Sequence, residues 1–237
     1  AAPSPKWAQA LFPSLEEEAA MDKLWDAILT ATRSKDDDPI KSTQEAHKDL
    51  QSRAEKLTAL KLDYLHITND LGTDLLVGLP KDHIWAGGPS KTKEGIVFAP
   101  NIPTEEVYTA PERNRVEGVV YSSKPLNYSG KLIEDFHFIF KEGRVVDYGA
   151  KTNEDTLKSL LDIDDGAKYL GEVALVPFSS PINQSGILFM MTLFDENAAC
   201  HLALGEAYPS SLENGVNMTK EERLKRGLND SLAHEDF

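Results

Sequence analysis

Cysteine is almost missing from this 237-residue chain. Cys200 stands alone, so no intrachain disulfide can staple the fold. That usage fits a reducing compartment, and a cytoplasmic setting is the expectation. Long apolar runs are missing too. None reaches the ~20 residues that a membrane-spanning helix needs. The opening Ala1-Ala2-Pro3-Ser4-Pro5 lacks the charged-then-apolar pattern of a secretory signal, so no membrane partner is expected. Basic residues are scarce: 25 Lys and Arg stand against 39 Asp and Glu, for a formal charge of −14. The pI is about 4.8. Such a field repels phosphate backbones, which argues against nucleic acid as a partner, and it serves solubility first. Familiar catalytic signatures are also missing. There is no Gly-x-Ser-x-Gly elbow, no Gly-x-Gly-x-x-Gly and no His-Glu-x-x-His, and Gly87-Gly88-Pro89-Ser90-Lys91-Thr92 lacks the Gly-Lys-Ser/Thr order of a phosphate loop.

What is present is an apolar share of 41%, ordinary for a folded protein, in a chain long enough for one large domain or two small ones. Ser14-Leu15-Glu16-Glu17 after Pro13 reads as a capping box opening a helix. Ala20, Leu24, Ala27, Ile28 and Ala31 follow at helical spacing, and Lys35-Asp36-Asp37-Asp38-Pro39 ends the helix. A second helix over 42–60 puts Ala46, Leu50, Ala54 and Leu57 on one face. From Asp63 the texture turns to strands, over 64–68, 74–79, 96–99 and 116–122, with a hairpin of 136–140 and 144–148 about Glu142-Gly143. A short helix over 153–161, strands over 169–176 and 187–193, a helix over 197–208 stopped by Pro209, a charged helix over 219–226 and a strand over 232–237 complete the reading. This order predicts an α+β fold, a strand-rich mixed sheet body with flanking helices. Residues 1–62 are expected to form a helical segment packed on a strand-rich region over 63–237, as one domain overall.

The polar residues with metal-ligand chemistry are scattered. Glu172 sits in Tyr-Leu-Gly-Glu-Val-Ala-Leu-Val, where an ionised carboxylate would be costly without a cation. A solvent-facing position on an edge strand is the competing account, and the pattern leaves both open. His234 and Asp236 flank Glu235, so in a strand they share a face and can reach one ion, though a His-x-Asp alone is weak. His201 and Tyr208, seven apart, would share a face of the expected 197–208 helix. Cys200 reads as a small buried hydrophobe, and Asp195 and Glu196 as helix N-terminal charges. Glu105 and Glu106 follow Pro103-Thr104 in a loop and would face opposite ways, one toward a metal and one toward substrate or water. Several carboxylates with two imidazoles are the ligand set for a pair of divalent ions.

Taken together, the stretches Asn101–Thr109, Leu170–Pro177, Thr192–His201, Ala207-Tyr208-Pro209 and Asn229–Phe237 resemble the thermophilic-type metallo-aminopeptidases, the group of aminopeptidases T and S and PepS. The block Thr192-Leu193-Phe194-Asp195-Glu196-Asn197-Ala198 carries the most specificity. The resemblance implies a dinuclear hydrolase that removes N-terminal amino acids from peptides with a metal-activated hydroxide. It implies metal ligands at Glu106, Glu172, His201, His234 and Asp236, with two ions of zinc, cobalt or manganese. Tyr208 would donate to the oxyanion, and Glu105 would act as general base or ammonium contact. A homodimer acting on peptides is implied too. The family's further N-terminal domain, and a short segment beyond the His-x-Asp strand, have no counterpart in these residues, so a chain truncated at both ends is the expectation. Another dinuclear hydrolase of phosphoesterase type, and a non-catalytic fragment with a closed structural ion, are the alternatives.

Overall fold

A computed structural model describes residues 2–237. The α+β expectation holds. Helices lie at α1 (Pro5–Leu11), α2 (Glu17–Ala31), α3 (Pro39–Leu60), α4 (Glu154–Leu161), α5 (Pro181–Ser185), α6 (Thr192–Asp195) and α7 (Lys220–Lys225). Strands are β1 (Tyr64–Thr68), β2 (Asp74–Gly78), β3 (Ser90–Lys91), β4 (Val97–Phe98), β5 (Val107–Thr109), β6 (Val116–Tyr121), β7 (Leu126–Tyr128) and β8 (Lys131–Ile133). They continue with β9 (His137–Lys141), β10 (Arg144–Gly149), β11 (Leu170–Leu175), β12 (His201–Gly205) and β13 (His234–Asp236). No helix among the described residues is long and apolar enough to cross a membrane.

The chain forms two compact units, neither continuous in sequence. The first comprises Ala1–Gln51, Gly87–Glu106 and Val176–Cys200. Its core gathers Ala20, Leu24, Ala27, Ile28 and Ala31, the predicted stripe of α2, with Ala8, Phe189 and Phe194. Phe189 and Phe194 stack at 4.7 Å. The Trp7 indole N–H donates to Phe189 O at 2.6 Å.

Local signals in this unit succeed and fail for visible reasons. The capping box expected at Ser14 does not form: α2 starts at Glu17 after Glu16, with no side-chain cap, because residues 13–15 are used in the preceding turn. The same motif closes properly at α7, where Thr219 and Glu222 cap each other. The expected strand over 187–193 is also corrected. Residues 187–191 are irregular, and α6 begins at Thr192. Asp195 explains this, since its carboxylate accepts the Phe189 and Met191 amides at 2.7 and 2.9 Å and holds the chain in a tight loop.

The second unit comprises Ser52–Ala86, Val107–Leu175 and His201–Phe237. It holds a five-stranded sheet, ordered β1-β2-β6-β9-β10, and a four-stranded sheet, ordered β13-β12-β11-β5. Adjacent strands pair antiparallel in both sheets. The β9–β10 hairpin turns at Glu142-Gly143 as expected, with φ of 50° and 80°. A Cβ at residue 143 would lie 1.7 Å from Arg113 O, so only glycine fits there. Phe237, just beyond β13, packs at 4.9 Å on Phe138 of β9, joining the two sheets.

Candidate metal centre

The four-stranded sheet explains how residues so far apart in sequence meet. Across β11 and β12, Leu170 pairs with Leu204, but Glu172 pairs with Ala203 and Ala174 with His201. The register slips by one residue at Gly171. Without that bulge, Glu172 would stand opposite Leu202, on the leucine face. The slip turns it to the face of Ala203 and His201, because a one-residue shift flips every side chain. Gly171 suits the bulge: a Cβ there would come within 2.2 Å of Glu206 O and 2.5 Å of Gly205 O.

The neighbouring strands continue the same face. Asp236 pairs with Ala203, and His234 with Gly205. On the other side, Tyr108 of β5 pairs with Ala174. Glu106 precedes Tyr108 by two residues, the spacing that keeps a side chain on one side of a strand. Alanine and glycine at 174, 203 and 205 leave room over the middle of this face.

Glu106, Glu172 and His201 are buried, and each offers a ligand atom within 4.8 Å of the other two. His201 Nε2 lies 3.8 Å from Glu172 Oε1. Two buried carboxylates with one imidazole are the donor set of a borderline divalent ion, so the residues present fit a metal. His234 and Asp236 repeat the arrangement, with Nε2 and Oδ1 3.8 Å apart. His234 Nδ1 is 2.8 Å from Glu206 O. A carbonyl only accepts, so Nδ1 bears the proton and Nε2 keeps the lone pair in the neutral ring.

Other sequence expectations fare differently. The helix expected over 197–208 is replaced by a single 3₁₀ turn at Glu196–Ala198 and then β12. Leu, Ala and Leu favour helix locally, but pairing on both sides makes a central strand, and tertiary context overrides propensity. His201 and Tyr208 therefore share no helical face. Tyr208 is instead half-exposed beside the sheet, its ring 4.7 Å from His234 and 6.1 Å from Tyr108. Cys200, expected to be buried, is exposed. Glu105 is buried, and both its oxygens accept from Arg33, at 2.5 and 2.9 Å. Its amide donates to Asn197 Oδ1 at 2.7 Å. Glu235 is pushed up to about 7 by burial and then by Asp236.

The sequence patterns assign no individual role to Gly171, Arg33 or Asn197. A glycine inside an apolar strand pattern is a bulge signal that was available for the first. Nothing local marks Arg33, whose partner lies 72 positions away.

The description of the thermophilic metalloprotease (M29) family matches residues 1–237. The chain belongs to that family. It is 49% identical to aminopeptidase 2 of Geobacillus stearothermophilus over 99% of this chain and 57% of that protein. It is 47% identical to aminopeptidase AmpS of Bacillus subtilis over 100% of this chain and 57% of that one. The solved structure of wild-type AmpT from Thermus thermophilus superposes with a TM-score of 0.91 at 46% identity, over 99% of this chain and 56% of that one. The chain thus spans a little over half the length of the M29 relatives it matches. The family implies a divalent metal, and the Glu106, Glu172 and His201 cluster is chemically suited to hold one.

Proposed function

We propose that this chain carries the catalytic centre of a metal-dependent aminopeptidase that takes two divalent ions, zinc, cobalt or manganese. Glu106, Glu172 and His201 would hold one, and His234 and Asp236 the other. The observation that carries the reading is the shared sheet face, on which β11, β12 and β13 present Glu172, His201, His234 and Asp236 around small residues. The name aminopeptidase on the M29 relatives supports the substrate class.

When bound, the ions supply Lewis acidity and lower the pKa of water toward ~7. The chain's own residues do the rest. Glu106, Glu172 and Asp236 balance the positive charge in a largely buried place. His234, fixed by Glu206 O through Nδ1, presents Nε2 in one orientation. Tyr208 is exposed enough to meet a substrate, and its hydroxyl donates to the oxyanion that develops at the first peptide carbonyl. Glu105 enters as an anchor rather than a proton acceptor, because Arg33 engages both of its oxygens. The net negative field favours the terminal ammonium of a peptide. A cytoplasmic setting and pairing of two copies are carried over with the family reading. Light scattering of the purified protein checks the pairing.

Full-length protein supplied with cobalt or zinc is expected to hydrolyse leucine-p-nitroanilide and to leave p-nitrophenyl phosphate intact. The reverse preference would establish a phosphoesterase. Cation uptake with turnover of neither substrate would establish a structural ion.

A further inference from the structure

Arg33 occupies a backbone position that suits another residue better. Helix α2 ends in a paired hydrogen-bond motif: the Ser34 amide donates to Leu29 O at 2.8 Å and the Arg33 amide to Thr30 O at 3.0 Å. The residue at the corner of this motif must be left-handed, and Arg33 has φ of 58°. Glycine is the usual occupant, because a Cβ is disfavoured there. An arginine in such a place points to a task for its side chain.

That task is visible. The guanidinium forks onto Glu105, Nη1 to Oε1 and Nη2 to Oε2. Planar two-point pairing of this kind fixes direction as well as distance. Asn197, itself buried and donating to Leu193 O at 3.1 Å, takes the Glu105 amide. Residue 105 is thus gripped at its side chain and its main chain. The next residue is Glu106, and after it β5 begins. Leading into a strand, successive side chains leave on opposite sides. Holding Glu105 on one side therefore decides where Glu106 goes on the other.

We propose that Arg33 is a positioning residue for the cation site: its fork on Glu105 fixes the 105–106 peptide and so aims the Glu106 carboxylate into its cluster with Glu172 and His201. It also neutralises a buried carboxylate one residue from the site, which would otherwise compete for the cation. The inference rests on the functional reading above.

The test titrates metal-free full-length protein with Co²⁺ by calorimetry and records thermal unfolding of the same samples. Two variants are compared with wild type. Arg33→Lys keeps the charge and loses the fork. Arg33→Gly/Glu105→Gln removes both charges together and suits the left-handed corner. Both are expected to melt close to wild type and to bind Co²⁺ about 10–100-fold more weakly, the range for loss of a residue that orients a ligand. The double variant is expected to be the weaker. Wild-type affinity in the folded variants overturns the proposal. If the double variant does not melt cooperatively, Arg33→Lys decides alone by the same criterion. A wild-type protein that takes up no Co²⁺ overturns the functional reading instead.

Discussion

The two larger sheets of the second unit are built alike and used differently. In the five-stranded sheet, burial alternates along the strand: in β9, Phe138 and Phe140 are buried while their neighbours are not. In the four-stranded sheet, β12 is buried at all five positions and β11 at five of six. A strand covered on both faces should read as continuously apolar. Here that rule is broken at Glu172 and His201, which are buried within this pair of strands. Desolvating a carboxylate costs several kcal/mol unless a partner compensates. The first sheet follows the hydrophobic rule and supports the fold. The second departs from it where the chemistry is proposed to happen.

Substitutions at matched depth in the two sheets can break this contrast. Glu172→Ala is expected to have the largest functional effect, with cation affinity and turnover falling by more than the ~100-fold typical of an outer-shell loss. Calorimetry with Co²⁺ and leucine-p-nitroanilide assays measure it, and near-normal values would remove Glu172 from the site. Phe138→Ala, fully buried in the other sheet, is expected to cost about 3–5 kcal/mol in urea unfolding. Its folded fraction should bind cations as wild type does. If it lost affinity as Glu172→Ala does, the two sheets would not be separable in role.

Smaller effects sharpen the picture at the rim of the four-stranded sheet. Tyr208→Phe removes only a hydroxyl and is expected to lower kcat by about 100-fold while leaving Co²⁺ affinity unchanged, the behaviour of an oxyanion donor. A rise in KM alone would make Tyr208 a binding residue. Glu235, between His234 and Asp236 on β13 but on the opposite side, gives a pH signature in the metal-free protein. Its carboxyl is raised from 4.5 to about 7, so the folded state holds the proton more tightly than the unfolded one. Stability is therefore full below the unfolded value and falls as pH rises toward about 7. Solvent screening of this half-buried group limits the change to about 1–2 kcal/mol. Glu235→Gln should flatten that slope in unfolding measured between acidic and neutral pH. An unchanged slope would assign it to other groups.

Much of the chain was legible in its order of residues. The α2 stripe, the 142–143 hairpin turn, the capped α7 and the β13 strand follow from periodicity and turn chemistry that act over a few residues. The failures at Ser14, over 187–193 and over 197–208 share a cause. Each has an adequate local pattern that is outbid by a contact from outside the window: a preceding turn, the Asp195 carboxylate, or pairing with β11 and β13.

By itself, the sequence determined the chemical inventory: carboxylates and imidazoles of metal-ligand type, little cysteine, an acidic surface, and motifs specific enough to mark the M29 family. Which of those groups face one another was decided only by the tertiary structure. A bulge at Gly171 turns Glu172 over, strand pairing brings His201 beside it, and Arg33 reaches a carboxylate 72 positions away. The physical reason is that side-chain direction in a sheet depends on register, and register is settled by the partner strand rather than by the strand's own residues.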